Sequence, residues 1–128
     1  MIVAGVGCRR GTPAAAIEAV IASALARAGL ASHMLDAIAA PAAKKDEPGI
    51  VAAASTLGVA LVLVAQPDLE TAGSRVETFS KRVETLMGVG SVAEAAALAA
   101  GGPAACLLVP RIAIGPATCA LARSGTAP

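Results

Sequence analysis

The stretch that decides the fold is IVAGVGCRRGTP, residues 2–13. Its β-branched residues 2–6 predict a short buried strand. After a glycine-rich turn, Thr12 offers an N-cap oxygen and Pro13 stands at the first helical position, where a missing N–H costs nothing. Apolar residues at helical spacing indicate a helix from there to about residue 28, and Gly29 is a natural stop. A strand, a tight turn and a capped helix form the opening half of an α/β unit.

The rest of the chain repeats these elements in alternation. We expect further strands over residues 35–40, 59–64, 105–109 and 117–122, and further helices over residues 50–57, 74–86 and 92–100. The strand at 59–64 is apolar on both faces, as a central parallel strand should be. The last two strands have only a short connection, residues 111–116, which predicts an antiparallel pair at a sheet edge. The order favours a three-layer α/β/α sandwich over a mixed, mainly parallel sheet, in one domain spanning residues 1–128.

Polar residues mark the starts of the later helices. Asp46 or Glu47 is placed to cap the second helix, which Gly58 should end. Ser74 with Glu77, and Ser91 with Glu94, have the spacing of a capping box and predict the first residues of the last two helices.

The composition excludes several classes of protein. The chain has 128 residues, of which 56% are hydrophobic but only 1% aromatic, and about a quarter are alanine. No apolar run approaches the length of about 18–20 residues that crosses a bilayer, and no secretory signal follows Met1. The net charge is +1, and neither a basic stripe nor stacking aromatic residues suggest a nucleic-acid partner. We therefore expect neither a membrane nor a nucleic acid as partner.

Cysteine and histidine are too few for a metal set. Cys8, Cys106 and Cys119 are an odd number without C-x-x-C spacing, and His33 is the only histidine. No metal site and no cofactor is therefore expected. Free thiols favour a reduced, cytoplasmic protein. Cys106 and Cys119 are expected to pack within strands and His33 to lie exposed, and a Ser-His-Asp triad would have to recruit His33, the only imidazole.

Three loops should gather at the carboxyl ends of the strands, where open α/β sheets bind ligands. The loops are residues 7–12, 44–49 and 88–91. The first supplies our main candidates for ligand binding: Gly7, Cys8, Arg9, Arg10, Gly11 and Thr12. Its glycine spacing matches neither the dinucleotide fingerprint nor the P-loop. Free N–H groups, a helix N-terminus and two arginines favour a carboxylate or phosphate, whereas the alternative is a tight turn with solvated arginines.

The other two loops add weaker candidates. Lys45 and Asp46 would place a cation and a general base in the crevice, or form an ordinary solvated loop. Gly90 would let a ligand approach the backbone, and Ser91 is first of all a helix cap. Cys8, beside a helix N-terminus and cations, has either a lowered thiol pKa or a packed, inert thiol. Cys8 and Asp46 are the only candidates for catalysis.

These loops and the end of the chain resemble a known family. The chain is similar to the CobE/CbiG C-terminal domain family of cobalamin biosynthesis through five strings: GVGCRRGTP at 5–13, KDEPG at 45–49, GVGSV at 88–92, LLVPR at 107–111 and ATCALA at 117–122. The resemblance extends over nearly the whole chain, and a chain of this length resembles the stand-alone members. It implies a cytoplasmic role in building the corrin ring from precorrin intermediates. It also implies that the glycine-arginine loop, Lys45, Asp46 and the Gly90-Ser91 turn lie at the ligand crevice.

The resemblance leaves the reaction open. A precorrin is a flat, apolar macrocycle ringed by carboxylates, which Arg9, Arg10 and Lys45 suit as partners. One hypothesis is therefore a protein that binds or hands on a precorrin or corrinoid, with other cobalamin-pathway enzymes as partners. The second is an enzyme acting on the macrocycle, as the CbiG relatives open a ring lactone. A small phosphate- or nucleotide-binding module is a third hypothesis, and an antiparallel edge would permit a homo-oligomer.

Overall fold

Residues 1–78 and 91–125 are described by the computed structural model, and they form one mixed sheet between helices. The strands, in chain order, are β1 (Ile2–Cys8), β2 (Ala37–Pro41), β3 (Ala60–Val64), β4 (Cys106–Ile114) and β5 (Ala117–Arg123). The α-helices are α1 (Ala14–Arg27), α2 (Pro48–Leu57), α3 (Gln66–Ala72) and α4 (Val92–Gly101). Short 3-10 turns lie at Ser32–Met34, Ala42–Lys44 and Gly73–Arg75.

The sheet has the strand order β3-β2-β1-β5-β4. β1, β2 and β3 are parallel, whereas β5 runs antiparallel to both β1 and β4. α1 and α2 pack on one face of the sheet, and α3 and α4 pack on the other. The predicted three-layer α/β/α sandwich with an antiparallel C-terminal pair is confirmed. Within the described residues, no helix is long and apolar enough to cross a membrane.

Alternating residues of β1 face two separate apolar clusters. Ala4 packs with branched residues of α1 and α2, while Val3 packs on the other face with alanines of α4. α4 lies so close to the sheet that a Cβ at Gly5 would overlap the carbonyl oxygen of Ala93. The alanine excess of the sequence therefore serves the close approach of a helix to a strand.

Two strands differ from their predictions because of where the C-terminal hairpin docks. β5 pairs with β1 as far as Cys8, so Gly7 and Cys8 belong to a strand and not to a turn. Because the β4–β5 hairpin occupies one side of β1, β2 and β3 lie on the other side of it. β3 is therefore at the edge of the described sheet. The prediction of a central strand at 59–64 was wrong, and Leu63 is 42% exposed.

β4 is longer than predicted. It continues through Arg111 to Ile114, where the sequence predicted a loop. The pairing with β5 shifts register on both sides of Val109. Such irregularities accommodate Pro110, which has no N–H to donate to the sheet. A proline inside the run therefore bends this edge strand without ending it.

The ends of α1 and α2 agree with prediction better than their starts. Gly29 and Gly58 have φ of 71° and 68°, the left-handed conformation that ends helices. Neither helix start has the predicted side-chain cap. The N-cap residues are Pro13 and Glu47, and neither makes a side-chain hydrogen bond to the first turn of its helix. Thr12 instead donates its hydroxyl hydrogen to the carbonyl of Arg9, at 2.6 Å.

The two predicted capping boxes have different outcomes. Ser91 is the N-cap of α4, and its Oγ accepts a hydrogen bond from Glu94 N. Ser74 lies within a 3-10 turn, and residues 76–78 are not helical, so the prediction of a helix start at Ser74 was wrong. The remainder of that predicted helix, from residue 79, lies outside the described residues, as does Gly90.

Candidate functional site

Two of the three predicted loops meet at the carboxyl end of β1. The loop after β1 and the 3-10 turn before α2 enclose a cavity of about 380 Å³. We call it the polar cavity, and its lining residues are Arg10, Gly11, Ala43, Lys44, Asp46, Glu47 and Pro48. Arg10 and Lys44 supply positive charge, and Asp46 and Glu47 supply negative charge. The site is therefore a mixed-charge cavity and not a purely cationic one.

Glu47 joins the two loops. Its side chain is 7% exposed, and its Oε1 accepts a hydrogen bond of 2.7 Å from the backbone N–H of Gly11. A hydrogen bond to a charged acceptor is stronger than one between neutral groups. The glycine-arginine loop is therefore fixed to the first residues of α2 by one buried carboxylate.

The loop after β1 is also fixed from within. Thr12 donates both its hydroxyl hydrogen and its backbone N–H to the carbonyl of Arg9, at 2.6 and 3.1 Å. The N–H of Arg9 in turn donates to the carbonyl of Pro116 in the β4–β5 turn. A Cβ at Gly49 would overlap the carbonyl oxygen of Thr12, so the start of α2 can approach the loop only because residue 49 is glycine. These contacts tie the loop to itself, to the β4–β5 turn and to the start of α2.

A second cavity adjoins the first. It has a volume of about 300 Å³, and we call it the apolar cavity; its lining residues are Gly11, Thr12, Pro13, Ala14, Glu47, Pro48, Gly49 and Ala52. Glu47 and Pro48 line both cavities. Small apolar side chains dominate the second one, so a ligand spanning the two would meet charges at one end and an apolar shelf at the other.

The cations differ in their relation to the polar cavity. Arg10 is exposed and lines it, and Lys44 is half-buried and lines it. Arg9 and the sequence-predicted Lys45 are exposed, and neither is among the residues that line either cavity. Lys44 is the last residue of the 3-10 turn at Ala42–Lys44, and Lys45 follows that turn.

Cys8 lies at the end of β1 beside this site and is half-buried. Burial raises the pKa of its thiol; the charge of Lys44 lowers the pKa less than burial raises it, and Glu47 raises it further. The thiol is therefore protonated near neutral pH. The interpretation of Cys8 as an activated nucleophile loses its physical basis. Of the other thiols, Cys119 is buried as predicted, whereas Cys106 is exposed and its predicted packing was wrong.

Ser91 and its capping partner lie on the α3–α4 face of the sheet and are completely buried. The carboxylate of Glu94 accepts three hydrogen bonds from backbone N–H groups. Oε1 accepts from Glu77 N and Thr78 N at 2.6 and 2.8 Å, and Oε2 accepts from Arg111 N at 2.8 Å. Burial alone would raise the pKa of Glu94, but these hydrogen bonds lower it below the ordinary value. Glu94 therefore ties α4 to β4 and to the segment after α3.

Sequence reasoning missed Glu47 and Lys44 as site residues. Glu47 was interpreted as a helix cap, although glutamate is not among the preferred N-cap residues. That mismatch was the available signal that its side chain has another partner. No signal distinguished Lys44 from Lys45, because two adjacent lysines in one polar segment have the same local pattern. Among the described residues, no group of three His, Cys, Asp or Glu side chains comes together to hold a metal ion.

The polar cavity can bind but has few groups for chemistry. Arg10 and Lys44 can donate to a carboxylate or phosphate, and Asp46 and Glu47 can accept hydrogen bonds. His33 is exposed in the turn before β2 and lines neither cavity. The arrangement suits recognition of a polar group attached to an apolar body.

Comparisons with known proteins agree on one family. The family model for the cobalamin synthesis G C-terminus matches residues 2–122. A curated relative, Protein CobE from a Sinorhizobium species, is 39% identical over 125 residues, which are 98% of this chain and 81% of the relative.

Solved structures extend the agreement to the fold. A crystal structure of CobE, a protein from the cobalamin (vitamin B12) biosynthetic pathway, has a TM-score of 0.90 at 35% identity, with 96% of this chain and 89% of the other covered. The cobalamin biosynthesis protein chiG from Agrobacterium tumefaciens has a TM-score of 0.79 at 39% identity, with 98% and 100% covered. A cobalamin biosynthesis protein G homolog from Sulfolobus solfataricus, at 24% identity and a TM-score of 0.70, shares the fold, with 97% of this chain but only 37% of the other covered.

Proposed function

Because the chain belongs to the family of the cobalamin synthesis G C-terminus, a family of cobalamin biosynthesis, we propose that it binds a precorrin or corrinoid intermediate of that pathway. The polar cavity and the adjoining apolar cavity are the proposed binding site. Such a role favours a cytoplasmic location and a transfer of the bound intermediate to other enzymes of the pathway.

The observation that supports this proposal is the contact between a charged cavity and an apolar one. A precorrin or corrinoid has an apolar ring with acetate and propionate groups at its edge. Arg10 and Lys44 suit a carboxylate of that edge, while Pro13, Ala14 and Ala52 offer an apolar surface to the ring. The carboxylate edge and the apolar ring of one ligand thus correspond to two adjoining cavities.

The volume of the polar cavity limits how much of the ligand enters. Cavities that enclose drug-sized ligands measure about 300–1,000 Å³, and the polar cavity, at about 380 Å³, is near the lower end. In this proposal it holds one substituted ring at the edge of a tetrapyrrole rather than the whole macrocycle. In the proposed complex the protein holds the edge of the macrocycle, and most of the ring stays accessible to a second protein.

The proposed ligand-binding residues combine the sequence predictions with two additions. The sequence predicted Gly7, Cys8, Arg9, Arg10, Gly11, Thr12, Lys45, Asp46, Gly90 and Ser91, and of these Arg10, Gly11, Thr12 and Asp46 line the two cavities and are the proposed ligand-binding residues. The cavity geometry adds Lys44 and Glu47 and gives Arg10 a more direct role than Arg9. Ser91 is buried away from both cavities and retains a supporting role at most.

Titration with a pigmented ligand tests the proposal. Hydrogenobyrinic acid added to the protein should change its absorption spectrum and co-elute with the protein on gel filtration. Replacing both loop arginines, Arg9→Ala with Arg10→Ala, should weaken binding at least about tenfold, the loss of one charged hydrogen bond. The matched control replaces Arg27 and Arg123, exposed arginines at the other end of the sheet. No spectral change and no co-elution would refute the proposal.

Catalysis on the macrocycle is the second candidate, because Asp46 lines the polar cavity and is exposed. The protonated thiol of Cys8 argues against nucleophilic attack by that residue. The two candidates differ in one observable: an enzyme changes the mass of a purified intermediate when incubated alone with it, whereas a binding protein returns it unchanged.

A further inference from the structure

Only one of the two carboxylate oxygens of Glu47 accepts a hydrogen bond from the described residues. Oε1 accepts the N–H of Gly11. Oε2 accepts no hydrogen bond from the described residues, and every fully buried side-chain oxygen among them has a partner. Oε2 is therefore not completely buried, and the residue that carries it lines both cavities.

An incompletely buried oxygen on an otherwise buried carboxylate limits which ligand groups fit beside it. An ionised carboxylate only accepts hydrogen bonds. A ligand carboxylate placed against it would be repelled, most strongly where water is excluded. A ligand N–H or O–H at the same place would donate a charge-assisted hydrogen bond.

The two cations that line the polar cavity favour the opposite kind of ligand group. Arg10 and Lys44 only donate, so each favours a carboxylate on the ligand. Asp46, the other acid of the lining, is exposed, and water weakens its effect on a ligand. Glu47 and the two cations are thus the groups that discriminate between ligands.

We propose that the polar cavity recognises a ligand edge bearing a hydrogen-bond donor, such as a carboxamide, beside a carboxylate, and that Glu47 Oε2 accepts from the donor. The inference rests on the proposed function and makes it more specific: it distinguishes ring edges that are wholly carboxylate from edges that carry an amide or another donor. Glu47 is then a specificity-determining residue as well as the link between the two loops.

The substitution Glu47→Gln tests this without removing the loop contact. The carbonyl oxygen of glutamine can still accept from Gly11 N, which leaves the amide NH₂ in place of Oε2. An acceptor becomes a donor at the position of Oε2. The control is Asp68→Asn, which makes the same change of charge on an exposed acid of α3, on the other face of the sheet and outside both cavities.

The probes are hydrogenobyrinic acid, whose acetate and propionate side chains all end in free carboxylic acids, and its a,c-diamide. The wild-type protein should bind the diamide more tightly than the acid. In Glu47→Gln the preference for the diamide should fall about tenfold, as expected for one charged hydrogen bond, and in Asp68→Asn it should stay as in the wild type.

The outcomes separate this inference from the proposed function. If the wild type binds neither probe, the proposed function is refuted and the inference with it. If it binds both and the preference is the same in Glu47→Gln, only the inference is refuted. Should Glu47→Gln fail to fold, the wild type alone still decides, because tighter binding of the acid than of the diamide contradicts an acceptor at the site.

Discussion

The backbone N–H of Gly11 lies 2.7 Å from Glu47 Oε1, a contact between residues 36 positions apart. It joins the loop that follows β1 to the first turn of α2, the two segments that enclose the polar cavity. The carboxylate therefore links the two segments that line the candidate site.

Removing that carboxylate should destabilise the protein and loosen the site. We expect Glu47→Ala to lower the free energy of unfolding by about 1–2 kcal/mol, because a hydrogen bond to a charged group is lost while the exposed Gly11 N–H can turn to water. Glu47→Gln should keep most of the stability. Urea denaturation of the three proteins measures the difference, and equal midpoints for Glu47→Ala and the wild type would contradict it.

A methyl group at Gly49 should separate the same two segments. The added Cβ of Gly49→Ala would overlap the carbonyl oxygen of Thr12, and overpacking of this kind costs about 1–3 kcal/mol. Gly11→Ala is the comparison, since its Cβ meets nothing within 4 Å and only its φ of 78° opposes the change. Thermal melts should show the larger loss for Gly49→Ala. A larger loss for Gly11→Ala would mean that the contact with Thr12 yields easily.

How much of the fold could be predicted depends on whether a feature is local. The left-handed glycines at 29 and 58 ended their helices as predicted, because such a conformation is decided by a few neighbouring residues. The position of β3 was not predictable in this way. An apolar run has the same pattern at the centre of a sheet and at its edge, and only the docking of the β4–β5 hairpin beside β1 made it an edge.

The same distinction applies to the candidate site. The sequence identified the two loops, because glycines and charges between apolar runs are a local signal. It did not identify Glu47, whose partner Gly11 is distant in sequence, nor choose between Lys44 and Lys45. Ser91 was correctly identified as a helix cap, but burial on the α3–α4 face of the sheet could not be inferred from its neighbours.

The three cysteines should react with a thiol reagent in an order that burial sets. Cys106 is exposed, Cys8 is half-buried with a raised pKa, and burial raises the pKa of Cys119 to about 12. Native protein treated with iodoacetamide near neutral pH should therefore be modified first at Cys106, more slowly at Cys8 and hardly at Cys119. Peptide mapping by mass spectrometry assigns the sites, and denatured protein, in which all three react, is the control. Faster modification of Cys8 than of Cys106 would indicate an activated thiol.

Glu94 should contribute stability that depends on pH. Its folded-state pKa lies below the ordinary 4.5, so the contribution is complete above that value and is lost as the pH falls through the lower, folded-state pKa. Glu94→Gln leaves at least one of three backbone N–H donors without its acceptor, at a cost of about 1–3 kcal/mol near neutral pH. The difference from the wild type should shrink in acid. Denaturation at several pH values measures it, and a difference that stays constant down to pH values well below 4.5 would contradict the role of the ionised carboxylate.

Lys44 and Lys45 are adjacent but should differ in their effect on ligand binding. Lys44 is half-buried and lines the polar cavity, whereas Lys45 is exposed and lines neither cavity. Lys44→Ala should weaken the binding of hydrogenobyrinic acid about tenfold, through one lost charge-assisted hydrogen bond. Lys45→Ala carries the same change of charge on the next residue and should alter binding less than about twofold, since an exposed charge is screened by water. Spectroscopic titration of both variants at one ionic strength makes the comparison. Equal losses would show that the ligand responds only to the overall charge of the loop, and a larger loss in Lys45→Ala would place the ligand outside the polar cavity.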